Sequence, residues 1–229
     1  MQERKLNGGR FGKTLFFTDR EIDRMCLEAL KQSGCLPAAP EPIDIEFFVE
    51  KHFKTSLDMG TEVDPEVLGW TLFGKKGEIL LVGVSPSLSA DTSLVGQRRC
   101  RATVAHEAGH CLMHPILFME ERTEPMWGNL DFAQNRILCR REDFTGKYDG
   151  RWWEVQANKA IGGLLLPSAL VQKSVEHLLE SQGGLGLPVL PEKNRQKAIE
   201  HVADTFEVNK PPAEIRLKSL FPQQPEGFL

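Results

Sequence analysis

Apolar residues recur at helical spacing from residue 19 onward, and the pattern predicts a helix capped by Thr18 or Asp19. The stretch before about Leu15 is predicted to be flexible. Prolines between residues 37 and 42 separate this helix from a second amphipathic segment, 43–53. The apolar positions of the first helix are Ile22, Met25, Cys26, Ala29 and Leu30.

The period of the pattern changes between residues 70 and 84, where two strands, 70–73 and 78–84, are joined by a glycine-containing turn. The second strand is a continuous apolar run from Ile79 to Val84. This is compatible with an interior core strand, or with an edge strand that binds an extended peptide. A loop is predicted at 86–93. A long helix then begins at a cap, Asp91 or Ser93, and extends to about His114.

The second half of the chain is predicted to be mostly helical. Residues 118–150 are polar and irregular, and they form an insertion without a predicted element. A helix over 151–166 stops at Pro167, and Ser168 caps a further helix to about Ser181. Glycines between 183 and 188 indicate a linker, and two short helices within 192–221 are separated near Pro211 and Pro212.

Helices flanking a small antiparallel sheet give an α+β fold. The predicted division of the chain is an N-terminal helical extension at 1–41, a core at 42–182 and a C-terminal helical segment at 183–229. The last segment weakly resembles a helix-turn-helix. It carries six basic and five acidic residues between positions 192 and 218, so direct binding to nucleic acid is not expected.

Composition favours an ordinary globular protein. The chain has 229 residues and is 41% hydrophobic. Its net charge of −4 does not favour binding of the whole protein to a polyanion. No apolar run approaches the roughly 20 residues that are needed to span a bilayer. The sequence also shows no recognisable signal peptide. Five cysteines without a CxxC pair are typical of reduced thiols. We therefore expect a cytoplasmic protein without a membrane partner.

The chemistry is concentrated in the predicted long helix, where residues 106–110 read HEAGH. His106 and His110 are four positions apart, so both imidazoles lie on one helix face and can bind one metal ion. Glu107 lies beside the first ligand. It is a candidate general base that takes a proton from water at the ion and passes it to a leaving amine. The alternative is a solvated helix face with two incidental histidines.

A catalytic zinc site needs a third protein ligand. His114 lies about 12 Å of helical rise from His106, which is too far for a shared ion. Glu154 is the best candidate, because it and Asn158 project from one face of an otherwise apolar helix. The alternative for Glu154 is an exposed glutamate at a helix start, where the dipole favours it.

Taken together, three segments resemble the ImmA/IrrE family of metallopeptidases. These are HEAGHCLMH at 106–114, EVQAN at 154–158 and LLLP at 164–167, and the similarity extends over about residues 42–167. The resemblance implies a zincin-like fold, Zn²⁺ held by His106, His110 and Glu154, and Asn158 orienting a ligand histidine. It also implies a protein substrate, a DNA-binding repressor. Glu154 follows His110 by 44 positions, which is a long separation, and the insertion at 118–150 bears on the shape of the substrate cleft.

Two residues are candidates for stabilising the oxyanion that develops during peptide hydrolysis. They are His114, for which a supporting or capping role is the alternative, and Tyr148, for which packing in the insertion is the alternative.

The functional hypothesis is a zinc endopeptidase that acts on a cytoplasmic regulatory protein. The competing hypothesis is a protein-binding module that keeps a zinc site with little or no turnover. A DNA-binding protein with a structural zinc is weaker, since structural sites usually have four Cys or His ligands.

Overall fold

In the computed structural model of the protein, residues 2–5, 11, 13–119, 135–141, 150–182 and 187–222 are described. The α-helices are α1 (Asp19–Ser33), α2 (Ile45–Phe53), α3 (Pro86–Ser89), α4 (Leu94–Met113), α5 (Trp152–Leu165), α6 (Ser168–Val175), α7 (Glu192–Thr205) and α8 (Lys210–Leu220). The strands are β1 (Gln2–Lys5), β2 (Lys13–Phe16), β3 (Leu57–Asp58), β4 (Val67–Phe73), β5 (Ile79–Val84), β6 (Arg136–Arg140), β7 (Glu180–Gln182) and β8 (Leu187–Val189).

The predicted starts of the two best-defined helices are confirmed. At α1 the Thr18 hydroxyl accepts a hydrogen bond from the backbone N–H of Glu21, whose carboxylate accepts one from the Thr18 N–H in return. At α4 the Ser93 hydroxyl accepts from the Gly96 N–H at 3.0 Å. Such caps satisfy N–H groups that have no partner inside the helix, so these starts can be predicted from local sequence.

An α+β fold is confirmed, but the sheet is mixed rather than antiparallel. Its strand order is β3-β5-β4-β6, with β4 antiparallel to both neighbours and β3 parallel to β5. The two-residue β3 is too short to show a periodic pattern. Strand β5 is interior, as one of the two interpretations predicted, and β3 and β6 are the edges of this sheet.

Several predicted boundaries are wrong in the N-terminal half and in the insertion. Residues 2–5 and 13–16 pair as the hairpin β1–β2 instead of being wholly flexible. The predicted loop at 86–93 contains α3. The insertion contributes β6 to the sheet, because its alternating buried positions Ile137 and Cys139 pack inward; residues 120–134 and 142–149 lie outside the described residues.

Boundaries also differ in the C-terminal part. Helix α6 is preceded by Pro167 at the cap position and ends at Val175, and strand β7 replaces its predicted last turn. The predicted linker is partly strand, since β8 pairs with β7; residues 183–186 lie outside the described part. Pro211 and Pro212 lie in the first turn of α8, where the missing N–H costs little, and the break falls before them.

One main cluster of buried apolar side chains extends from Leu15 to Phe221. Ile22, Leu164 and Val202 belong to it, so the parts 1–41, 42–182 and 183–229 all contribute to one core. Helix α8 is further held by Arg216, which forms a 2.9 Å ion pair with Asp23 of α1. Within the described residues, no helix combines the length and the apolar character needed to cross a bilayer.

Candidate metal centre

Helix α4 places the two predicted histidine ligands side by side. The Nε2 atoms of His106 and His110 are 3.0 Å apart, as their four-residue spacing on a helix requires. Both side chains have no exposed surface. Two buried imidazoles whose ring nitrogens face each other need either a shared proton or a shared cation between them.

Helix α5 supplies the third donor atom at the same point. The Oε2 atom of Glu154 lies 3.0 Å from Nε2 of His106 and 3.5 Å from Nε2 of His110. Ligands at about 2.1 Å from one tetrahedral ion are separated by about 3.4 Å, so these three atoms fit a common metal ion. Glu154 is 4% exposed, and the alternative of an exposed glutamate at a helix start is therefore wrong.

The approach of the two helices depends on Gly109. A Cβ atom at this position would lie 2.7 Å from Cβ of Ala160 and 3.2 Å from Cα of Ala157, closer than such atoms pack. Small residues on both helices thus let α4 and α5 touch, which brings Glu154 to the histidines. This explains why the glycine stands between the two ligands on α4.

Asn158 contacts His106, the first of the two candidate histidine ligands. Its Oδ1 lies 3.0 Å from Nδ1 of His106. An amide oxygen can only accept, so the proton of this imidazole sits on Nδ1 and the Nε2 lone pair faces the metal position. A partner of this kind fixes both the tautomer and the orientation of a ligand histidine.

The second ligand is supported by a chain of polar groups that sequence analysis identified only in part. Nδ1 of His110 lies 2.9 Å from Nδ1 of His114, and Nε2 of His114 lies 3.1 Å from Oε1 of Gln156. The Gln156 amide nitrogen donates at 2.7 Å to the carbonyl of Leu15. This last bond fixes the amide direction, so His114 donates to Gln156 and accepts from His110. His114 is therefore placed to position His110, with both its nitrogens engaged.

The roles of Gln156 and Leu15 were missed. The sequence signal that could have identified Gln156 is its polar side chain, which lies between Glu154 and Asn158 on an otherwise apolar helix. Burial, together with the neighbouring His110, lowers the pKa of His114 to about 3. The imidazole is thus neutral, as the hydrogen-bond chain requires.

Charge at the site is carried by Glu154. Burial alone would raise the pKa of this carboxyl, but His110 and His106 beside it hold that pKa well below its usual range. The group is ionised at neutral pH and supplies the negative charge that a divalent cation needs.

Glu107, the neighbour of His106 on α4, is oriented by strand β4. The Thr71 hydroxyl donates a 2.7 Å hydrogen bond to Oε2 of Glu107. A Cβ atom at Gly69 would lie 2.8 Å from Oε1 of Glu107, so only glycine leaves room for the carboxylate there. Glu107 is thus buried and oriented by groups other than His106, His110 and Glu154, and one of its carboxylate oxygens lies within 4.8 Å of a ring nitrogen of His106.

Strand β6 adds a side chain that sequence analysis did not place at the site. The Sγ atom of Cys139 lies within 4.8 Å of a ring nitrogen of His106 and a carboxylate oxygen of Glu107. Burial raises the pKa of Cys139 to about 12, so the thiol is protonated at neutral pH. Tyr148 lies outside the described residues, and its suggested role at the oxyanion stays a prediction.

No protein-family model matches the chain, and no curated protein matches it either. A functional assignment therefore depends on the geometry of His106, His110, Glu154 and Glu107 and on the motifs at 106–114, 154–158 and 164–167.

Proposed function

We propose that the protein is a zinc-dependent peptidase whose ion is held by His106, His110 and Glu154. The observation that carries the proposal is the convergence of three buried donor atoms within 3.0–3.5 Å of one another, next to a fourth group, Glu107, that is oriented by other contacts. Three protein ligands with an open position are typical of catalytic rather than structural zinc.

Zinc in such a site lowers the pKa of a water molecule and polarises a substrate carbonyl. The protein's own residues do the rest. Asn158 and His114 hold the ligand imidazoles in one tautomer, and Thr71 holds the Glu107 carboxylate in one orientation. Glu107 accepts the proton from the attacking water and delivers it to the amine that leaves.

Two histidines and one carboxylate also suit non-haem Fe(II), which serves oxygenases. The position of Glu107 favours zinc and hydrolysis, because hydrolysis needs a general base beside the water molecule that occupies the open coordination position. The carboxylate is buried and receives a hydrogen bond from Thr71, which holds it in one orientation near His106.

A regulatory protein as substrate, specifically a DNA-binding repressor, is supported by the resemblance of residues 106–114, 154–158 and 164–167 to the ImmA/IrrE motifs. In this reading the protein acts in the cytoplasm as a control element, in stress response or in the control of a mobile element.

The Glu107→Gln variant tests the proposed chemistry. It keeps the shape of the side chain and removes its basicity, so it should bind zinc as the wild type does and cleave nothing. The assay incubates each protein with any small repressor-like protein encoded beside it, and with unfolded casein, and detects fragments by mass spectrometry. Cleavage by the variant at the wild-type rate would refute the role of Glu107.

A second candidate is a protein-binding module with a zinc site and little turnover. It is favoured by the burial of the site, since His106, Glu107 and His110 have no exposed surface and Glu154 has 4%. Removal of zinc by phenanthroline separates the two candidates. A binding module keeps its partner without cleaving it in either condition, whereas a peptidase loses cleavage when the metal is removed.

A further inference from the structure

Cys139 is a metal-binding type of side chain that the proposed function does not use. It lies on strand β6, opposite Gly69 of β4, and its side chain has no exposed surface. Directly paired residues of two strands project to the same face of a sheet. The thiol therefore lies on the face of the sheet where the absence of a side chain at Gly69 leaves room for the Glu107 carboxylate.

His106 belongs to two groups of potential ligands at once. One group is His106, His110 and Glu154, and the other is His106, Glu107 and Cys139; within each, the donor atoms all lie within 4.8 Å of one another. The thiol thus approaches His106 from the side that Glu107 occupies. A water molecule must sit on that same side if Glu107 is to take its proton.

A tetrahedral ion bound by three protein groups has one remaining position. A sulfur ligand binds zinc at about 2.3 Å. Cys139 shares a group of potential ligands with His106 but not with His110 and Glu154, so its thiol fills that position by moving towards the ion. We propose that Cys139 binds the metal ion as a thiolate in the resting protein and occupies the coordination position that water needs for hydrolysis. The inference rests on the proposed metal site.

Binding of Cys139 to the metal ion as a thiolate releases one proton. The S–H bond of Cys139 breaks, a sulfur–metal bond forms, and the proton passes to the Glu107 carboxylate beside it and then to solvent. When water takes the position, the sulfur–metal bond breaks and the thiolate takes a proton back from solvent through Glu107, which re-forms the S–H bond. The resting site is therefore closed by four protein ligands, and hydrolysis requires Cys139 to withdraw.

Cobalt substitution tests this directly, because a thiolate bound to Co²⁺ gives an intense charge-transfer absorption in the near ultraviolet that nitrogen and oxygen ligands do not. The full-length protein is loaded with Co²⁺ alone, and the wild type is compared with Cys139→Ser and Cys100→Ser. Cys100 is the matched control, since it is a buried cysteine on α4 outside both ligand groups. Circular dichroism establishes that each variant is folded.

The expected result is a charge-transfer band in the wild type and in Cys100→Ser, and its loss in Cys139→Ser with the weaker visible cobalt bands retained. Zinc affinity should fall about tenfold or more in Cys139→Ser. Bound cobalt without the band in the wild type overturns the proposal for Cys139 and leaves the three-ligand site intact. A band that survives in Cys139→Ser overturns it equally. Failure of the wild type to bind cobalt or zinc overturns the proposed function as well.

Discussion

The hydroxyl of Thr71 on β4 donates a hydrogen bond to the Glu107 carboxylate on α4 at 2.7 Å, and both residues have no exposed surface. This contact links the sheet to the proposed base and leaves the ligands untouched. Thr71→Val removes the hydroxyl and keeps the shape of the side chain. Peptidase activity should fall about tenfold to a hundredfold, since a positioned base contributes 10²–10⁴ to the rate, and the zinc content should not change.

Thr103→Val is the matched control for that variant. Thr103 is also buried on the sheet side of α4, and its hydroxyl has no hydrogen-bond partner among the described residues. Loss of this hydroxyl should leave activity unchanged and stability equal or higher. An equal loss of activity in both variants would contradict a specific role for Thr71.

Gly109→Ala tests the close contact between α4 and α5. The new Cβ would meet Cβ of Ala160 at 2.7 Å, so the helices must separate and carry Glu154 away from the histidines. We expect a loss of about 1–3 kcal/mol in the free energy of unfolding and weaker zinc binding.

Gly162→Ala is the control for Gly109→Ala. Its Cβ would meet only Cδ of Arg216, at 3.9 Å, and a gain of up to about 1 kcal/mol is expected. Urea unfolding and a competitive zinc titration measure both; equal behaviour of the two variants would contradict the packing argument.

Gln156→Leu removes the end of the chain of groups behind His110. The His114 ring N–H and the Leu15 carbonyl each lose their partner, which costs about 1–3 kcal/mol of stability. Zinc affinity should fall about 10–100-fold, because His110 is no longer held in one tautomer. Asn158→Leu should have a similar effect on zinc affinity through His106. Wild-type affinity in Gln156→Leu would show that this chain does not support the ligand.

Arg216→Met addresses the attachment of the C-terminal helices. The buried guanidinium donates to Asp23, to the Leu166 carbonyl and to the Ser168 hydroxyl. Its removal leaves the Leu166 carbonyl and the partly exposed Asp23 carboxylate without this donor, and we expect a loss of about 1–3 kcal/mol in the free energy of unfolding with zinc binding retained. Arg24→Met is the control, since the exposed Arg24–Glu28 pair is 4.0 Å apart and contributes about 0–1 kcal/mol. An equal effect of the two substitutions would contradict a structural role for Arg216.

The parts of the fold that could be predicted are those encoded locally. The start of α1 at Thr18 and the spacing of His106 and His110 depend on contacts within a few residues. Strands β3 and β6 could not be predicted, because pairing with β5 and β4 defines them and neither has a distinctive pattern of its own.

The same reasoning explains which site residues were missed. Glu154 and Asn158 stood out because a carboxylate and an amide are unusual on one face of an apolar helix. Cys139 lies 33 positions from His106 in a stretch read as irregular, and only the pairing of β6 with β4 brings it to the site. Gln156 acquires its role from Leu15, whose carbonyl reaches it across 141 positions.

The central claim is a zinc ion bound by His106, His110 and Glu154, and elemental analysis of the purified protein tests it most directly. Inductively coupled plasma mass spectrometry should find about one zinc per chain in the wild type and little in Glu154→Ala, with both proteins folded by circular dichroism. Wild-type protein that contains no metal after growth in zinc-supplemented medium, or that contains iron in place of zinc, would contradict the account.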